Sequence, residues 1–199
     1  MRAVLDACVL FPTVLREILL DTAAAGLFQP VWSPRIIEEW RRAAIRQGAE
    51  AGVEIALLQA RFPQALAVPG QGASAPDAAG LDLPDPADRH VIDTALAAGA
   101  EAVVTANLRD FPRGALAAVG LRAIHPDEFL RDLYLRAPGP VLAAVAATEA
   151  RAHAAGGAIT RKELMRRARL PRLAKAMARL DATETAPFPL HDATPREHD

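Results

Sequence analysis

Short apolar runs alternate with helical-period segments along most of the chain. Residues 2–5 (Arg-Ala-Val-Leu) read as a buried strand that stops at Asp6. Pro12 opens a helical stretch in which Leu15, Ile18, Leu19 and Thr22 recur at helical spacing, and Gly26 closes it. Val31-Trp32 reads as a brief second strand. Ser33-Pro34 supplies an N-cap followed by proline, and the helix it starts runs through Glu39 and Trp40 to Arg46. Residues 50–66 read as a further helix with Val53, Leu57, Leu58 and Phe62 on one side. Residues 69–80 are a loop by composition, and 81–83 a strand remnant. Asp85-Pro86 starts a helix to Ala98, ended by Gly99. Residues 101–105, centred on Ala102-Val103-Val104, form a buried strand, 121–124 the last strand, and Pro126 begins a helix through Leu133.

Strand, helices, strand, helix, strand, helix is the order of an α/β sandwich with a parallel sheet. Beyond Pro138 the pattern is wholly helical, over 139–154, 160–168 and 171–180, separated by Gly156-Gly157 and by Pro171. Thr160 with Glu163 has the spacing of a capping box. The expected organisation is a body over 1–135, a helical extension over 136–181 and a disordered tail over 182–199, where Pro187, Pro189 and Pro195 stand among charges. No internal repeats are visible.

Composition narrows the class. The hydrophobic fraction is 51%, enough for a substantial core, and much of it is Ala. Aromatics are only 5%, so no base-stacking platform is evident. No apolar run approaches the ~20 residues a membrane span needs. The start, Met1-Arg2-Ala3-Val4-Leu5-Asp6, is too short before its first carboxylate for a secretory core. Cys8 is the sole cysteine, so no internal disulfide is possible. A soluble cytosolic protein with no membrane partner is expected. Net charge is −1 but uneven: residues 1–135 hold 12 Lys/Arg against 17 Asp/Glu, residues 136–180 hold 10 against 2, and residues 181–199 hold 1 against 5. A basic helical segment beside an acidic body suits nucleic acid or an acidic partner, and equally a solvated helix face.

Open α/β sheets place ligands beyond the carboxyl ends of their strands. Asp6 sits at such an end, where a carboxylate is costly unless hydrogen-bonded or neutralised by a cation. The strand ending at Thr105 is followed by Asn107 and Asp110, which converge with Asp6 only if the two strands are neighbours. Asp85 and Asp88 start the helix that feeds that strand. Asp85 also reads as a plain N-cap before Pro86, and Asp88 also suits the helix dipole. Glu38 and Glu39 point about 100° apart on their helix, so at most one faces the site, and periodicity does not settle which. Such a set of oxygen donors suits Mg²⁺ or Mn²⁺, and two such ions can activate water against a phosphodiester.

The strings go further than the spacing. Leu5-Asp6-Ala7-Cys8-Val9-Leu10-Phe11-Pro12 with Leu15-Arg16, Trp32-Ser33, Ile37-Glu38-Glu39-Trp40, Leu83-Pro84-Asp85-Pro86-Ala87-Asp88-Arg89-His90-Val91, Val104-Thr105-Ala106-Asn107-Leu108-Arg109-Asp110-Phe111-Pro112 and His125-Pro126-Asp127-Glu128-Phe129-Leu130 occur in order over roughly residues 2–135. Together they resemble the PIN-domain family, in its VapC-type toxin branch with an extra helical C-terminal region. The resemblance implies a three-layer α/β/α sandwich around a central parallel sheet, with C-terminal helices. It implies a Mg²⁺- or Mn²⁺-dependent endoribonuclease, an RNA substrate, a cognate antitoxin that blocks the pocket, and often a homodimer. Residue by residue, Asp6 matches the family's first acid, Glu39 the second and Asp88 the third. Asn107 and Asp110 match the fourth position, and Thr105 would orient a ligand or water. Cys8 departs from the pattern, standing where many members have Asn; a thiol does not replace an amide's hydrogen bonds one for one. By its type alone Cys8 reads as a small buried hydrophobe.

Other residues leave alternatives open. His90 and Arg89 lie near the site and either touch phosphate or serve the fold. Trp32 and Trp40 read as core. Arg161, Lys162, Arg166, Arg167, Arg169, Arg172, Lys175 and Arg179 suit either RNA grip or antitoxin docking. Asn107 and Cys8 keep a second reading alive, a catalytically weak PIN-like protein that binds RNA or a partner without cutting.

Overall fold

The computed structural model describes residues 1–68, 81 and 83–184, with only the backbone of 181–184. Strands β1 (Arg2–Leu5), β2 (Gln29–Val31), β3 (Ala102–Val104) and β4 (Arg122–Ile124) form a parallel sheet in the order β2-β1-β3-β4. The helices are α1 (Ala7–Leu10), α2 (Thr13–Ala24), α3 (Pro34–Arg46), α4 (Gly52–Arg61), α5 (Arg89–Ala97), α6 (Arg113–Ala118), α7 (Pro126–Arg136), α8 (Pro138–Ala154), α9 (Arg161–Arg167) and α10 (Pro171–Glu184). The chain steps from β1 to β2 in one direction and from β2 to β3 to β4 in the other. Right-handed crossovers then put α2 on one face and α5 and α6 on the opposite face, which is the α/β/α sandwich expected. Ala3, Val4 and Leu5 of β1 and all of β3 are fully buried. A parallel strand covered on both faces is apolar throughout, which explains the short unalternating runs.

Several boundaries differ from the sequence reading. The single turn α1 and the short α6 were not expected, because neither is long enough to show helical periodicity. The expected helix over 50–66 ends at Arg61, two residues before Pro63, which disfavours helix at the residue preceding it. Residues 65–67 instead run along the sheet edge: Trp32 N–H donates to Ala65 O at 2.9 Å and Ala67 N–H to Trp32 O at 2.8 Å. Consequently α4 buries Ile55 and Leu58, while Val53 and Leu57 are 74% and 64% exposed. The helix expected from Asp85 opens as a 3-10 turn over Pro86–Asp88 before α5. Leu81 and Leu83 lie outside any strand. The loop 69–80, Asp82 and the tail beyond Glu184 lie outside the described residues.

The C-terminal helices share the core of the sheet's helices. Helix α8 packs on α2 and α7, α9 on α2 and α8, and α10 on α7. Val141, Val145, Leu164, Leu170 and Leu173 are fully buried. Edge-to-face packing of Phe28 and Phe129, 4.9 Å between ring centres, ties α7 to the entry of β2. Asp127, in the first turn of α7 and 3% exposed, fixes the dock. Its carboxylate accepts the N–H of Arg172 at 3.1 and 3.0 Å and of Leu173 at 3.0 Å. An acid of one helix thus caps the N-terminus of another, satisfying donors that a helix start leaves open.

Asp127→Ala is expected to cost roughly 2–3 kcal/mol, the worth of buried hydrogen bonds to a charged acceptor. For a chain of this size that lowers Tm by about 4–12 °C. Asp127→Asn, which keeps one acceptor oxygen, is expected to lose about half as much. Thermal melts of the three proteins check the order.

Candidate active site

Strands β1 and β3 are neighbours, with Leu5 opposite Val104, so Asp6 and Thr105 leave the sheet side by side. The Asp6 N–H donates to Val104 O at 3.2 Å, and the Asp6 carbonyl accepts from Val9 and Leu10 at the start of α1. Its side chain makes no capping bond and turns to Thr105. The Thr105 hydroxyl donates to Asp6 Oδ2 at 2.7 Å and accepts the Asn107 N–H at 3.0 Å. The Cys8 thiol donates to the same Oδ2 at 3.0 Å and accepts the Ala106 N–H at 3.2 Å. Burial, then the nearby Asp6 charge, push the Cys8 thiol up to about 12, so it stays protonated as a donor. Asp6 Oδ1 takes no hydrogen bond among the described residues. Thr105 therefore acts by holding Asp6. Cys8, which the sequence suggests is a small hydrophobe, is a second donor to that carboxylate.

Asp88 stands at the junction of the 3-10 turn and α5. Burial, then the charges of Asp6, Asp85 and Asp110, raise its proton affinity to about 6, with His90 opposing. The same acids that the sequence spreads over a hundred residues thus act on one another. Asp85 caps the turn as its sequence suggests, accepting the Ala87 N–H at 2.8 Å ahead of Pro86. After β3, the Asn107 amide donates to Asp110 Oδ2, and Arg109 approaches Asp110 Oδ1 at 3.7 Å.

The periodicity that left Glu38 and Glu39 undecided is resolved by their partners. Glu38 pairs outward with Arg42 at 2.9 Å. Glu39 faces α5, its Oε1 2.9 Å from His90 Nε2 and 3.4 Å from Arg35 Nε. Although burial opposes it, hydrogen bonding and charge from His90 and Arg35 hold the Glu39 carboxyl below its ordinary value. Arg35 also donates to Ala87 O at 3.0 Å, fastening α3 to the turn that carries Asp88. His90 is 8% exposed, and its Nδ1 is buried with no partner among the described residues. Neither His90 nor Arg35 announces this role in sequence; the signal is only that both lie one turn from an acid.

Among the described residues no three His, Cys, Asp or Glu side chains form a ready cage for a metal. The donors gathered at this edge, Asp6, Asp88, Asn107 and Asp110, are oxygens, the ligand type that hard divalent ions take. Arg89 donates to Leu81 O at 3.2 Å. Arg166 and Arg167 lie far along the chain on α9 and both pair with Glu163, at 2.7 and 3.0 Å. Trp32 and Trp40 are core residues, as expected. No helix among the described residues is long and apolar enough to cross a membrane.

Comparison with known proteins agrees with this fold. The PIN domain model matches residues 2–109, more than half of the chain. A Mycobacterium tuberculosis (strain H37Rv) protein provisionally named ribonuclease VapC50 is 49% identical over 45 residues, which are 23% of this chain and 27% of that protein. The match therefore spans about a quarter of that relative's length. No solved structure matches.

Two outcomes are expected of the metal-free protein. Asp88 binds its proton more tightly when folded, about 6 against an ordinary 3.8. Its contribution to stability is thus fully present below the ordinary value and lost as pH rises through about 6. Asp88→Asn should then melt higher than the parent above that pH in EDTA, and the gap should close toward pH 3.8. The half-buried Cys8 thiol, held protonated by its raised proton affinity, should resist iodoacetamide at mildly alkaline pH and react once the chain is unfolded, read by mass spectrometry.

Proposed function

The chain belongs to the PIN-domain family, and from that premise we propose that it is a metal-dependent endoribonuclease, the toxin member of a bacterial toxin–antitoxin pair. One observation carries the reading: the pairing of β1 with β3 sets Asp6 beside Thr105 at one sheet edge, where the Asp88 carboxyl is raised to about 6 by burial first and then by the charges of Asp6, Asp85 and Asp110. Acids gathered at such a cost suit a divalent cation. Asp6, through its free Oδ1, with Asp88 and Asp110 would hold Mg²⁺ or Mn²⁺, and Glu39 and Asn107 stand as the remaining candidates. When bound, the ion supplies an activated water and offsets charge on the leaving oxygen of a phosphodiester. The chain's own residues do the positioning. Thr105 and Cys8 fix Asp6, Asn107 turns Asp110, and the Glu39–His90 pair locks α3 against α5.

RNA as substrate, a small DNA-binding antitoxin that covers the pocket, a homodimer and a cytoplasmic setting follow from the same reading. The acids would repel RNA without metal, so RNA binding and cleavage should both depend on the ion. A second reading, binding without cutting, is favoured by one feature: Glu39 is already engaged by His90 and Arg35.

The decisive experiment incubates the protein with RNA in Mn²⁺ and in EDTA. Cleavage is expected only with metal, and Asp6→Asn should fall to the EDTA level while its melting profile stays cooperative. Thr105→Val, which loses only the hydroxyl that orients Asp6, should lower the rate about 10–100-fold. Full cleavage by Asp6→Asn, or cleavage indifferent to EDTA, would overturn the proposal; RNA binding without products in Mn²⁺ would establish the second reading.

A further inference from the structure

Six described helices end in the same way. After α2, α3, α5, α6, α8 and α9, the second residue past the helix takes positive φ, and the next N–H returns to a carbonyl five residues back. At five of these exits the residue is glycine: Gly26, Gly48, Gly99, Gly120 and Gly156. At the sixth it is Arg169, with φ 57°, and Leu170 N–H donates to Met165 O at 3.0 Å. Left-handed backbone is unfavourable for a residue with a Cβ. The chain uses glycine wherever only the turn matters, so an arginine kept here points to a use for the side chain.

Its location gives that use a context. Leu170 and Pro171 carry the chain directly into α10, whose first N–H groups are held by Asp127. Asp127 lies two residues beyond His125, and His125 leaves β4 beside Thr105, because Val104 pairs with Ile124 and Thr105 N–H donates to Ile124 O at 3.1 Å. Neighbouring strands lie about 4.8 Å apart. The α9–α10 turn is thus fastened at the same sheet edge as the carboxylates, on the β4 side. Of the neighbouring cations, Arg166 and Arg167 are engaged by Glu163. Arg172 is 58% exposed and only loosely paired with Glu128, at 3.4 Å. Arg169 is exposed and makes no ion pair among the described residues.

We propose that the turn between α9 and α10 is a phosphate grip, in which Arg169 and Arg172 hold the backbone of an RNA strand leaving the carboxylate site past β4. This rests on the endoribonuclease reading, since a cleaved strand must carry its flanking phosphates along the sheet edge. Two exposed guanidiniums, of Arg169 and Arg172, at the sheet edge that carries the carboxylates suit the phosphates of a strand. It would give the C-terminal helices a share in substrate binding.

The test measures fluorescence anisotropy of a short labelled oligouridylate in Ca²⁺, a hard divalent ion used in place of Mn²⁺ so that binding is read apart from cleavage, over a range of salt, with the full chain and the variants Arg169→Gly and Arg172→Gln. Each variant is expected to bind about fivefold more weakly. The slope of log affinity against log salt should fall by about 0.7, the change for a single strand when one of its phosphates is no longer neutralised. Arg169→Gly should also raise Tm by about 2–4 °C, because glycine relieves the turn. Higher stability with weaker binding is an outcome that a merely structural arginine does not give. Unchanged affinity and slope overturn the grip, as does an unaltered Tm, which removes the strain behind it. Loss of binding to a polyglutamate peptide, with RNA binding intact, would assign the turn to an acidic protein instead. If the unaltered protein cleaves RNA while the variants bind like it, the grip alone fails. If the unaltered protein neither binds nor cleaves, the nuclease reading fails and the grip with it.

Discussion

The hydrogen bond from Thr105 to Asp6 depends on the in-register pairing of two buried parallel strands, and the rest of the site depends on that bond. Without it a carboxylate at the end of β1 would face other acids with nothing to orient it. With it, and with the Cys8 thiol on the same oxygen, one face of Asp6 is committed to the protein and the other is left open. Register does the decisive work: a one-residue slip in a sheet sends a side chain to the opposite face. The apolar residues of β1 and β3 therefore stabilise the fold and also set where Asp6 points.

Each acid is offset locally in a different way. Asp85 is used by a helix start, Asp110 by an amide and an exposed arginine, and Glu39 by a histidine and an arginine. Asp88 bears both burial and the accumulated charge of its neighbours, opposed by His90. The same logic runs through the basic side of the molecule. Arg16, almost fully buried, donates to the carbonyls of Leu10 and Phe11 and lies over the Trp40 ring, 4.7 Å from its centre. It closes the end of α1, the turn that begins at Asp6, and ties it to α3, which carries Glu39.

Much of this is legible in sequence, for physical reasons that can be named. β1 and β3 announce themselves because strands buried on both faces are continuously apolar. The start of α3 is readable from Ser33-Pro34, and that of α9 from Thr160, whose hydroxyl accepts the Glu163 N–H at 3.2 Å. The reciprocal half of that box does not form, since Glu163 turns instead to Arg166 and Arg167. What stays hidden is tertiary. The edge path of residues 65–67 depends on a neighbouring strand. The choice between Glu38 and Glu39 depends on what α5 presents, and Asp127 looks in sequence like any acid in a first turn. Cys8 is opaque in sequence because a thiol's role depends on which oxygen it meets.

The dock made by Asp127 also bears on the order of events during synthesis. All the acids of the site lie before residue 111, and the body to residue 135 carries 17 acidic against 12 basic side chains. The basic helices follow, and α10 finds its cap only when the chain has grown through Leu173. At about 5–20 residues per second, the ribosome needs about 2–9 s to add the next 45 residues. During that interval the growing chain presents its acidic half alone. The nascent protein is thus born repelling polyanions, and it acquires its cationic side only after the acidic one has emerged.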